Sequence, residues 1–122
     1  MNAVPGGPET VVLARGDLAV EDAAQAVRLS LALPLAGLRV RLVLADGAAM
    51  LALAELPDLT PWGGNLAAEL PALLEEDVAI VVEKESLVRL GLEGRALRPG
   101  IELRPGAEII ALCAQAACCL VL

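Results

Sequence analysis

The chain has 122 residues, with 9 Lys and Arg against 16 Asp and Glu, giving a formal charge of −7, and it has no histidine. A hydrophobic content of 57% with mean hydropathy +0.70 excludes a disordered segment, and a chain of this length buries roughly two-thirds of its unfolded surface in one core. Scattered cations, an acidic balance and a single aromatic residue, Trp62, provide neither a phosphate-binding face nor a platform for stacked bases, so no direct nucleic-acid binding is expected.

Residues 1–8 contain Pro5-Gly6-Gly7-Pro8, no basic residue and no sustained apolar run. They are expected to be a flexible segment rather than a secretory signal, ahead of a single domain over residues 9–122. The longest membrane-like stretch, Ile109 to Leu122, is broken by Gln115 and falls short of the ~20 residues a spanning helix needs. The expectation is a cytoplasmic protein that does not enter a membrane.

Glu9–Ala14 (ETVVLA) is a β-branched run between turn residues and reads as a strand buried on both faces. From Val20 to Leu35 the apolar residues Val20, Ala23, Ala24, Val27, Leu31 and Leu35 recur at helical spacing. Asp17 is placed to cap that helix, Pro34 to kink its end and Gly37 to stop it. Leu38–Ala45 (LRVRLVLA) alternates at its start and is wholly apolar at its end, which predicts a strand exposed only where it begins. Asp46-Gly47 closes it, and a short helix over Ala48–Leu56 ends at Pro57. Pro57–Asn65 (PDLTPWGGN) is expected to be a long irregular loop, followed by a helix over Leu66–Leu74 that Pro71 interrupts. Asp77–Val82 (DVAIVV) is the clearest strand. The segment Glu83-Lys84-Glu85-Ser86 reads as its loop, ahead of a short helix over Leu87–Leu90 stopped by Gly91. A weak strand over Ile101–Leu103, a helix over Ala107–Ala117 and a last strand over Cys118–Leu122 complete the order β-α-β-α-α-β-α-β-α-β. That alternation predicts a small Rossmann-like three-layer α/β domain, with a mostly parallel five-stranded sheet and helices on both faces.

Function in such sheets collects at the carboxyl ends of the strands. The candidates there are Arg15, Asp17, Asp46, Lys84 and Ser86, forming a crevice suited to a small anionic ligand, with Trp62 as lid or interface anchor. Asp17 and Asp46 also stand where helix starts favour an acidic cap. No glycine-rich phosphate-binding motif occurs in the sequence. Without histidine, imidazole catalysis is absent, and Cys113, Cys118 and Cys119 lack the spacing of a zinc site. No metal and no cofactor are expected. The cysteines lie in the most apolar part of the chain and read mainly as core filling, with persulfide chemistry as the alternative role.

The stretch VVLARGDLAVEDAAQAVRLSLAL, the strand ending in Ala45-Asp46-Gly47-Ala48, the block VEKESLVRLGL from Val82 to Leu92, and the closing helix and strand carry a family resemblance. From Thr10 to Leu122 the chain resembles the DsrE/DsrF-like superfamily of sulfur-relay proteins, nearest its DsrF/TusC branch. The resemblance implies a Rossmann-like domain that assembles into dimers, trimers or hexamers and takes part in persulfide relay. In the DsrE/TusD branch the persulfide-carrying cysteine lies in the loop after a central strand, where this chain has Glu83-Lys84-Glu85-Ser86. The implied role is therefore a non-catalytic subunit that scaffolds a partner bearing the reactive cysteine, either a DsrE/TusD-like subunit or another sulfur carrier. The apolar excess independently favours a homo-oligomer.

Overall fold

The computed structural model describes residues 8–16, 21–55 and 61–122, with backbone alone at residue 21 and residues 61–67. Five strands, β1 (Glu9–Ala14), β2 (Arg39–Leu44), β3 (Ala79–Glu83), β4 (Ile101–Arg104) and β5 (Cys118–Val121), form one sheet in the order β4-β3-β2-β1-β5. All four neighbouring pairs are parallel. A parallel pair cannot be closed by a tight turn. The crossovers here run through α1 (Glu21–Ala32), α2 (Pro61–Glu75), α3 (Lys84–Arg89) and α4 (Gly106–Gln115), with 3-10 segments over Leu33–Ala36 and Asp46–Ala52.

Strand residues alternate between the two faces of the sheet, and in-register partners share a face. On one face Val12, Ala14, Val40, Leu42, Leu44, Ile80 and Val82 form a buried cluster with α1, the second 3-10 segment and α2. The other face buries Val11, Val43 and Val81 beneath Ile109 of α4, with Leu13, Cys113 and Ala116 partly covered beside them. The five-stranded α/β sheet with helices on both faces is thus present, but the two cover layers are unequal: among the described residues, α4 is the helix that shields the second face.

Several boundaries differ from the sequence reading for local physical reasons. The first helix gives way at Leu33 to a 3-10 turn with Pro34 in its first positions, ending on Gly37 at φ 83°. The turn swings Leu35 outward, where it is 73% exposed rather than part of the apolar stripe. Helix α2 begins at Pro61, inside the stretch read as a loop, because proline at the first helical position loses no hydrogen bond. Pro71 does not interrupt that helix; it lies on the solvent-exposed side. Residues 48–55 do not form an α-helix, and Leu56 lies outside the described residues. The 3-10 segment ends in an antiparallel bridge of Leu53 to Leu97, because Arg98 N–H donates to Ala52 C=O (2.8 Å) and Ala54 N–H to Ala96 C=O (2.9 Å). The last helix ends at Gln115, two residues early. Of the proposed flexible segment only Pro8 lies among the described residues.

The cysteines require a further correction. Cys118 and Cys119 are exposed and Cys113 is partly buried, so core filling holds for neither member of the pair. Strand β5 is an edge strand, and its apolar sequence is not matched by cover. Leu44, fully buried at the centre of the sheet, is expected to cost about 2–5 kcal/mol when changed to Ala. Val121→Ala, at a position 56% exposed, should cost less than about 1 kcal/mol. Urea midpoints of the two variants against the parent measure the difference.

Candidate functional site

Three of the five predicted crevice residues converge at the carboxyl ends of β1, β2 and β3. Arg15 follows β1, Asp46 follows β2, and Ser86 stands in the first turns of α3, which begins directly after β3. The Glu83–Ser86 segment is therefore not a loop but the junction of strand and helix. Asp17 and the side chain of Trp62 lie outside the described residues. Lys84 is exposed, and no ion pair involves it among the described residues.

Ser86 is the hub. The Asp46 N–H donates to its Oγ at 2.8 Å, and its own O–H donates to Glu83 Oε1 at 2.7 Å. The Arg89 Nη2 donates to the same hydroxyl, to Glu83 Oε1 and to Asp46 Oδ1, each at 3.1 Å. Arg15 Nε completes the ring by donating to Asp46 Oδ2 at 3.3 Å. With 1% of its surface exposed, Ser86 has its proton and lone pairs committed and is not an activated nucleophile. Hydrogen bonding to Glu83, followed by the nearby Glu83 and Asp46 charges, holds the Arg89 guanidinium above its ordinary value.

Backbone geometry explains why Asp46 sits here. Its φ of 51° is left-handed, a conformation that aspartate tolerates better than most residues. The sharp turn presents its N–H to Ser86 and its carboxylate to both arginines. Two cations and two carboxylates thus neutralise one another. An anionic ligand entering this crevice has to displace Asp46 or Glu83 from the guanidinium groups.

Glu83 and Arg89 were not among the predicted site residues. Their signal was present in the sequence: Glu83, Ser86 and Arg89 recur every third residue, the spacing that aligns side chains on one face of a helix. On the far side of α3, Glu85 Oε2 accepts the Gly106 N–H at 2.5 Å, which caps the start of α4 with a carboxylate. A Cβ at Gly106 would stand 2.6 Å from that oxygen, so glycine permits the approach.

A cavity of about 280 Å³ lies at the opposite, amino-terminal end of the sheet, lined by Glu9, Arg39, Arg41, Leu112 and Gln115 among others. Its charges are also internally paired. Arg41 donates from Nη2 to Glu9 Oε2 at 3.2 Å, and Arg39 stands 3.7 Å from the same carboxylate oxygen. Among the described residues, no group of three or more His, Cys, Asp and Glu could hold a metal ion. No helix among them is long and apolar enough to cross a membrane.

Cys113 lies on α4 in the second-face cluster, and burial first, then hydrogen bonding to Cys119, pushes its thiol up to about 11.

The chain shares its fold with YchN. The crystal structure of that Escherichia coli protein matches with a TM-score of 0.76 at 22% sequence identity, covering 95% of this chain and 100% of YchN. At that identity the likeness establishes the fold alone. No family model matches the chain. No curated protein matches it either.

Changing Ser86 to Ala leaves the part-buried Asp46 N–H and Glu83 carboxylate without their shared partner, and about 1–3 kcal/mol of stability should be lost, read from the urea midpoint. For the thiols, the thiolate is the reactive form, so the raised Cys113 should react slowest with iodoacetamide at pH 8 and accelerate as pH rises toward about 11. Time-resolved peptide mass spectrometry gives the order of modification.

Proposed function

We propose that this protein is a non-catalytic, DsrF/TusC-like subunit of a cytoplasmic sulfur-relay oligomer, scaffolding a DsrE/TusD-like subunit or another carrier that holds the persulfide. The observation that carries the reading is the junction after β3. Where the resemblance calls for a reactive cysteine, Glu83 and Ser86 are locked into a closed ion-pair and hydrogen-bond network, and no thiol is present. The network fixes the ends of three strands and leaves no group there free to accept sulfur. The fold shared with YchN supports the superfamily within which such a role is found.

Unequal cover of the sheet supports assembly. The face that α4 shields among the described residues borders Ile110, 71% exposed, and Val121, 56% exposed. Apolar surface of this kind favours association with a second copy. A second reading, a sulfur carrier using a carboxyl-terminal cysteine, is favoured by the exposure of Cys118 and Cys119. A small-anion site at Arg15, Asp46 and Lys84 is opposed by the mutual neutralisation of the first two residues.

Native mass spectrometry before and after incubation with a persulfide donor separates these readings. The scaffold reading expects an oligomer whose chains gain no sulfur. A monomer at micromolar concentration counts against the assembly. One added sulfur atom per chain, lost in a single Cys→Ser variant, replaces the scaffold with the carrier and identifies its site.

A further inference from the structure

The sulfur-bearing residues at the carboxyl terminus carry an arrangement of their own, independent of the relay reading. Cys119 is the β5 residue paired in register with Val11, and Cys118 is paired with Thr10. Since partners in register share a face and successive residues alternate, Cys119 leaves the sheet on the Val11 side and Cys118 on the other. Val11 belongs to the cluster beneath α4 against which Cys113 packs. The two thiols are therefore on one face of the sheet, beside Val11, and the neighbouring Cys119 is among the causes that raise the Cys113 thiol. A helix and the strand that follows it thus present a facing pair of thiols, while the third cysteine points away.

We propose that Cys113 and Cys119 form a redox dithiol that a low-molecular-weight disulfide, with oxidised glutathione as the probe, converts into an intramolecular disulfide. Cys119 is exposed and Cys113 partly covered, which sets the order of events. The Cys119 thiolate attacks one sulfur of the glutathione disulfide. A protein–glutathione bond forms, the glutathione S–S bond breaks, and one glutathione leaves as a thiolate that takes up a proton. Cys113 then gives up its proton and attacks Cys119 Sγ. The mixed disulfide breaks, and the second glutathione departs with its sulfur reduced. Two protein thiols are oxidised and one disulfide is reduced to two thiols.

The product ties α4 to β5 on the thinly covered face. Cys118 has no role in it, because reaching Cys113 would require its side chain to pass through the sheet.

The test treats the reduced full chain with oxidised glutathione under native conditions and reads intact mass, then fragments the peptide that follows Arg104. The expected result is loss of two hydrogens per chain, with the bond between Cys113 and Cys119, unchanged in Cys118→Ser. In Cys113→Ser, glutathione should remain attached to Cys119 because the resolving thiol is gone. Cys113→Ala, which keeps the site apolar, should behave the same way and guards against disturbance of the cluster by the hydroxyl. In Cys119→Ser, adduct formation at Cys113 should be about tenfold slower or more, as expected for a covered thiol. A stable glutathione adduct on the parent chain, a Cys118–Cys119 bond, or cross-linking between chains through Cys118 would each overturn the proposal.

Discussion

A wholly parallel sheet with apolar residues on both sides must have two covers, and a chain of 122 residues has few helices to supply them. Much of what is distinctive here follows from that constraint. The chain spends α1, α2 and the 3-10 segment on one face, and the fully buried leucines collect there. Among the described residues, only α4 returns across the other face, where it packs on a core of Val11, Val43, Val81 and Ile109. The exposed Cys119 and the exposed Ile110 go with that allocation, whereas Cys118, on the other face, is exposed at the edge of the sheet.

The strand ends are held by polar rather than apolar contacts. Asp46 takes a left-handed turn immediately after β2, and the turn is useful because it delivers an N–H to a buried hydroxyl and a carboxylate to two arginines. The same residues that looked like a ligand crevice thereby become a fastening between β1, β2 and α3. Glu85 extends the fastening to the start of α4, so that the helix of the sparse face is anchored at the same end of the sheet as the network. The site is a junction first, and any binding there has to compete with its internal pairs.

The strands were legible because their signal is dense: ETVVLA and DVAIVV leave little choice other than buried strands, and each lies within a residue or two of its observed limits. The helices were legible in their middles and not at their ends. Pro34 and Pro61 illustrate why, since the same residue type tightens one helix into a 3-10 turn and opens another. For the site, Arg15, Asp46 and Ser86 could be placed from the rule that strand ends converge, whereas Arg89 became visible only once α3 was seen to start at Lys84. The exposure of Cys118 and Cys119 was hidden for a different reason. Composition reports how apolar a strand is, but not whether it has a neighbour on both sides.

Strand order also determines how this sheet meets other sheets. Its two edges are chemically unlike. Edge β4 is four residues long, bounded by Pro99 and Pro105, and carries the Glu102–Arg104 pair. Proline and charge are the features that discourage strand addition. Edge β5, Cys-Cys-Leu-Val, has neither. Among the described residues, the features that discourage backbone pairing are thus present at one edge and missing at the other. A β5-to-β5 contact uses up the receptive edge of both molecules, so growth by strand addition stops at a pair and does not propagate into a fibre.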